Sequence, residues 1–267
     1  MKQTHLNKRK LIMENYSAVA VNRGQNGCCG GGCNCSDTPF DAQAAARALG
    51  YSDDDLRSVP TAANMGLGCG NPLAIAALKP GETVLDLGSG GGFDCFLARQ
   101  QVGDDGQVIG VDMTPDMISL ARENAEKAGY TNVSFRLGEI EYLPVADASV
   151  DVILSNCVIN LALDKANVFR EAWRVLKNGG RLSISDVVAT AELPDHIRND
   201  LTMLSGCISG AETVDRLRDM LRQAGFSNIR LTPKDNSQDI LKTWVPGSHA
   251  EDYVASYLIE AEKKADT

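Results

Sequence analysis

VLDLGSGGGFD, residues 84–94, is the stretch on which the reading of this chain turns. A run of strand-like residues leads straight into Gly88, Gly90, Gly91 and Gly92, and a helical segment follows. Glycines in that place make a tight turn with no side chains in the way. A ligand then approaches the backbone closely, facing a helix N-terminus. Asp112 closes the next strand-like run, 20 residues after Gly92 (112 − 92), where a carboxylate takes both hydroxyls of a ribose. A glycine turn alone also suits nicotinamide and flavin cofactors. Asp86, inside the strand ahead of the glycines, changes the balance. A carboxylate there repels a pyrophosphate and attracts the ammonium of an amino-acid group. The plainer reading is that Asp86 caps a strand end and the glycines only turn.

Strand and helix alternate outward from this turn. Residues 83–87 (TVLDL) and 107–111 (QVIGV) read as buried strands, with a helix over 92–102 between them. An amphipathic helix over 115–128 is closed by Gly129. VSFRLG and SVDVILSN are the third and fourth strands. KANVFREAWRVLKNGG reads as a helix stopped by its glycines, and RLSISDVV as the fifth strand. Short turns between strands and helices imply helical crossovers. The expected fold is therefore α/β, a doubly wound, mainly parallel sheet of Rossmann-like type. Ahead of it, Asp41 opens a helix, Ser52 caps another, and Pro72 takes the first position of a short one. Residues 193–224 read as largely helical with a loop at 206–210. FSNIRLTP reads as a strand, and YVASYLIEAEKK as either a strand or a helix. Residues 1–37 show no sustained periodicity and carry the run GCCGGGCNC, the pattern of a mobile arm.

Composition narrows the classes. The 267 residues are 43% hydrophobic and 23% charged, enough for one sizeable α/β core with additions. A net charge of −9 opposes a nucleic-acid partner. No apolar stretch approaches a membrane span or a leader's apolar core, so the expected compartment is the cytoplasm. Eight cysteines (28, 29, 33, 35, 69, 95, 157 and 207) in such a chain point to soft-ligand or redox chemistry, or to buried small side chains. Cys95, one turn into a helix, reads as core. His5, His196 and His249 read as surface residues, not as bases. The spacing of Cys28, Cys29, Cys33 and Cys35 lacks the paired C-x₂-C of structural zinc folds.

Residues 83–188, with LPVADASVDVILSNCVINL and VLKNGGRLSISD following the glycine turn, resemble class I S-adenosylmethionine-dependent methyltransferases. The resemblance implies S-adenosylmethionine as methyl donor. Asp86, Gly88 and Gly90 would lie on its methionine part, Asp112 and Met113 on the ribose and adenine, and Ile140 and Glu141 on the adenine. The segments GLGCGNP, GSGGGFDCFLA, LSNCVINL and the loop around Cys207 sharpen this to a resemblance to the arsenite methyltransferase family. That family implies trivalent arsenic bound by Cys69, Cys157 and Cys207, on three separate loops. Thiolates are soft ligands that select such elements. The arsenic lone pair would take the methyl group in line, with no general base and no obligatory metal cofactor.

The resemblance also implies arsenite and methylarsenite as substrates, for detoxification. A fourth, N-terminal cysteine would pair with Cys69 in a redox role, reset by thioredoxin or small thiols. Cys28, Cys29, Cys33 and Cys35 compete for it, with Cys33 as the candidate partner. Several family members continue into a further C-terminal domain. The implied organisation is an arm over 1–37, a donor-binding methyltransferase domain over 38–190, and an arsenic-binding region with the final strands over 191–267. Two other functions fit the fold: methylation of a quinone-like acceptor or another metalloid, and a thiol-rich metalloid-binding protein.

Overall fold

The computed structural model describes residues 2–22, 41–235, 237–238, 241 and 249–265. Five parallel strands come first in the chain: β1 (Thr83–Leu87), β2 (Gln107–Asp112), β3 (Val133–Leu137), β4 (Val150–Asn156) and β5 (Leu176–Ala189). Two later strands, β6 (Ser227–Pro233) and β7 (Val254–Glu262), complete one seven-stranded sheet in the order β3-β2-β1-β4-β5-β7-β6. β7 is antiparallel to both of its neighbours. YVASYLIEAEKK is thus a strand, and β6 and β7 are built into the same sheet as the glycine turn.

The helices are α1 (Lys2–Val21), α2 (Ala42–Leu49), α3 (Asp53–Ser58), α4 (Leu73–Ala76), α5 (Phe93–Val102), α6 (Pro115–Ala128), α7 (Lys165–Val175), α8 (Asp195–Arg198), α9 (Leu201–Ser205) and α10 (Val214–Ala224). Their ends follow local chemistry. Ser52 and Asp55 form a capping box on α3, Asp41 accepts from two backbone N–H groups of α2, and Gly129 closes α6 at φ 69°. Pro72 sits one residue ahead of α4 instead of inside it.

Two further expectations change. The segment expected to be a mobile arm contains a helix. In α1, Ile12, Val19 and Ala20 are buried, and Tyr16 packs beside them. Their spacing (12, 16, 19, 20) is one helical face, hidden in the sequence by the lysine-rich start. Burying Ile12 and Val19 contributes about 1.5–3 kcal/mol each before ordering costs. Arg9 adds an ion pair to Glu139 at 2.9 Å. The run containing Cys28, Cys29, Cys33 and Cys35 lies outside the described residues.

The second change concerns α7, which ends at Val175 and passes directly into β5, so Gly179 and Gly180 do not stop it. Its last carbonyls need another donor. Lys263 supplies one: its Nζ donates to the carbonyls of Trp173 (2.9 Å) and Leu176 (2.8 Å) and lies 3.9 Å from the centre of the Trp173 ring. Lys263→Met would strand these carbonyls and is expected to cost about 1–3 kcal/mol. The expected reading is a lower urea midpoint at unchanged slope; an unchanged midpoint would mean that water replaces the ammonium at no cost.

Candidate functional site

The strand order reverses between β1 and β4, opening a crevice at the carboxyl ends of the strands. The glycine turn after β1 fills one side of it. Gly88, Gly90 and Gly92 adopt φ of 71°, 50° and 93°, a region other residues enter at a cost. Asp112 anchors the turn: one carboxylate oxygen accepts from Gly90 N–H (3.0 Å) and the other from Thr114 N–H (2.8 Å). Asp86 is 3% exposed and accepts from the Cys95 thiol at 3.3 Å. Burial, then the neighbouring Asp94, pushes its pKa well up. No lysine, arginine or histidine pairs with it among the described residues, so a cationic group on a bound ligand would be its natural partner. Open backbone, an anchored ribose-type carboxylate and an unpaired buried acid fit S-adenosylmethionine.

The other predicted donor residues take varied places. Met113 is half-buried and packs on the hydrophobic cluster that contains the cysteines. Ile140 is buried after β3, and Glu141 is buried beside it. Glu141 is already engaged: Leu163 N–H donates to it at 3.0 Å and Arg9 of α1 at 3.4 Å.

Opposite the turn, Cys69, Cys157 and Cys207 join one buried cluster with Ile12, Leu161 and Ile208. Cys69 precedes Gly70, where an added Cβ would sit 2.2 Å from Ser185 Oγ, so the loop lies flat on β5. Its N–H donates to Asn156 Oδ1 (3.0 Å), and its Sγ is 3.6 Å from Ser185 Oγ. Cys157 and Cys207 both have positive φ, 59° and 62°, strain of about 1–3 kcal/mol each. Two contacts hold them there. Cys157 N–H donates to Ser185 O (2.7 Å), and the Cys207 thiol donates to Cys157 O (2.6 Å).

Burial, then hydrogen bonds with the other two thiols, pushes the Cys157 pKa well up. For Cys207 the hydrogen bond with Cys157 lowers the pKa, but burial and Asp186 outweigh it. Both thiols therefore rest protonated. Lys165 lies near Cys207 and Lys234 near Cys69, each with its pKa lowered by burial.

Donor turn and cysteine loops touch. A Cβ on Gly88 would lie 2.5 Å from Val158 Cγ2, so the residue after Cys157 rests on the turn itself. Cys33 falls outside the described residues. Sequence reasoning passed over Asn156, Asn160 and Asp186, whose only sign was their place beside Cys157 and at the end of the fifth strand. Asn160 Nδ2 donates to Asp186 Oδ1 (3.0 Å) and to Cys207 O (3.0 Å), tying two cysteine loops together. Asp186 is fully enclosed, and burial raises its pKa to about 7.

Residues 78–225 match the family described as a methyltransferase domain. The arsenite methyltransferase of Halobacterium salinarum is 53% identical over 266 residues, covering 96% of this chain and 67% of that protein. The chain belongs to the arsenite methyltransferase family. The human arsenite methyltransferase is 42% identical over 173 residues, which are 61% of this chain and 46% of the human protein. Thus the chain spans about half the length of some curated relatives it matches. The crystal structure of an arsenic(III) S-adenosylmethionine methyltransferase from Chlamydomonas reinhardtii superposes with a TM-score of 0.60. It is 34% identical, over 85% of this chain and 74% of that one. The methyl donor of this family is S-adenosylmethionine, which is the ligand the glycine turn fits.

Two outcomes test this site. Asp112→Ala is expected to weaken binding of S-adenosylhomocysteine by about tenfold or more, read by calorimetric titration; an unchanged affinity would remove Asp112 from the donor site. A carboxyl raised on folding contributes stability that is complete below its unfolded pKa and lost as pH rises through the folded one. For Asp186 that loss runs up through about 7. The melting temperature of Asp186→Asn should therefore fall less than the parent's between about pH 4 and 7. Equal falls would mean that the carboxyl stays ionised throughout.

Proposed function

We propose that the chain transfers the methyl group of S-adenosylmethionine to trivalent arsenic held by Cys69, Cys157 and Cys207. It acts on arsenite and then on methylarsenite, as a detoxifying enzyme. The observation that carries this reading is the gathering of three thiols, from three separate segments, in one buried cluster beside the donor turn.

The chemistry suits protonated thiols. Arsenite carries three hydroxyls, and each thiol that replaces one sends its proton away with the hydroxide as water. Three As–S bonds form, three waters leave, and no base is consumed. Three thiolates leave the arsenic pyramidal with its lone pair free. S-adenosylmethionine supplies, when bound, an electrophilic methyl group on a sulfonium sulfur. The chain's part is placement. Asp86 takes the donor's ammonium, Asp112 its ribose hydroxyls, and Met113 and Ile140 flank the adenine, with Glu141 beside them. Val158 resting on Gly88 sets the acceptor loop against the donor turn, which converts an encounter into a fixed approach. The cysteines are 0–8% exposed, so bulk water is kept from the transfer.

Cys33, or one of Cys28, Cys29 and Cys35, serves as the redox partner of Cys69, and thioredoxin or small thiols act as reductant. No described helix is long and apolar enough to cross a membrane, and a cytoplasmic site of action follows as part of this reading.

With arsenite, S-adenosylmethionine and a thiol reductant, mass analysis of the arsenic species should find methylated products. Cys69→Ser, Cys157→Ser and Cys207→Ser should each lower their formation by about 100-fold or more. If Cys157→Ser and Cys207→Ser methylate arsenite as well as the parent, the three-thiolate site is wrong.

A further inference from the structure

The thiol cluster contains a second ligand set that arsenic does not need. Cys69 Sγ, Cys157 Sγ and a carboxylate oxygen of Asp186 lie within 4.8 Å of one another, and all three residues are buried. Cys207 stands outside this trio, with its thiol turned to the Cys157 carbonyl. Trivalent arsenic keeps a lone pair and prefers three soft donors in a pyramid. A divalent d¹⁰ cation has no such lone pair. It takes four donors in a tetrahedron and accepts thiolates and carboxylates together.

The carboxylate of Asp186 is prepared for that task. Oδ1 accepts from Asn160 Nδ2 (3.0 Å) and from Val187 N–H (2.7 Å). Oδ2 accepts from Ile159 N–H (2.9 Å) and keeps a further lone pair for a cation. Hydrogen bonds of this kind orient a ligating carboxylate. Around a tetrahedral zinc the sulfurs would stand about 3.8 Å apart, so closing the trio needs side-chain shifts of about 1 Å or less.

We propose that Cys69, Cys157 and Asp186, with water in the fourth position, bind thiophilic divalent cations such as zinc and cadmium. Such a cation excludes arsenic by occupying two of its three thiols. Binding exchanges two thiol protons, released to solvent, for two metal–sulfur bonds, and no electrons move. The two ligand sets share Cys69 and Cys157 and differ in the third member: Cys207 for arsenic, Asp186 for the cation. The competition rests on the acceptor site proposed above, whereas the cation site rests on the trio alone.

Cadmium is the probe, because thiolate-to-cadmium charge transfer absorbs in the ultraviolet. The titration uses the full chain with Cys28, Cys29, Cys33 and Cys35 changed to Ser, so that those thiols do not contribute. The parent of this series should show a band of two thiolates per cadmium, and added arsenite should remove it. Cys207→Ser should keep its cadmium affinity within about threefold while losing arsenite affinity by about tenfold or more. Asp186→Asn should do the reverse, losing about tenfold or more in cadmium affinity beyond any loss for arsenite. Absence of the band, or parallel losses for both ligands in Cys207→Ser, would overturn the cation site. The Cys207→Ser contrast decides the matter even if Asp186→Asn does not fold. If the parent binds cadmium but not arsenite, the acceptor reading fails and the cation site stands.

Discussion

The side-chain amide of Asn156 holds the two halves of the site together. Its Oδ1 accepts from the Cys69 N–H at 3.0 Å, and its Nδ2 donates to Gly70 O (2.8 Å), Tyr51 Oη (3.0 Å) and Asp94 Oδ2 (3.3 Å). Tyr51 completes the loop by donating to Asp94 Oδ1 at 2.6 Å. One residue at the end of β4 thereby fixes the Cys69 loop on one side and the start of α5, beneath the glycine turn, on the other. Asn156 is half-buried, so each partner it loses costs about 1 kcal/mol. Both loops that must face each other are referenced to the same atom pair, so their separation is set by hydrogen-bond lengths.

Around that anchor the site is built from buried acids rather than buried ion pairs. Asp86, Asp94, Asp112 and Asp186 all have raised pKa values with burial as the largest cause. Placing four carboxyls where no salt bridge neutralises any of them among the described residues, and only Asp186 feels a nearby lysine, Lys165, is unfavourable to the ligand-free fold. The same placement makes the crevice receptive to a cationic ligand, because the desolvation cost has already been met in folding. Two cysteines in the left-handed region add strain of the same functional kind.

α1 shows how the rim is closed. Arg9 reaches Glu139 and Glu141, Ile12 enters the cysteine cluster, and Val19 and Ala20 pack with Met65 and Met117 near the glycine turn. A single helix thus touches the acids after β3, the cysteine cluster and the residues beside the glycine turn. Its stability depends on that packing, since its own composition has no acidic first turn and no basic last turn.

The sequence by itself determined the five parallel strands, the donor turn and the cysteines to watch, because each is written locally, while the last strand stayed open between strand and helix. Strand runs and helix stops repeat on the chain, Gly88, Gly90 and Gly92 adjoin Asp86, and Cys157 follows a strand end. Tertiary structure alone decided what these residues meet. The α1 face escaped notice because its stripe makes sense only against α6 and the cysteine cluster. The end of α7 was misplaced because its cap is Lys263, a residue 88 positions after Val175 (263 − 175). Asp186 was invisible as a site residue because a carboxylate at the end of a buried strand has no local signature. Its meaning comes from lying within 4.8 Å of two thiols brought in from residues 69 and 157, and only the folded sheet sets that distance.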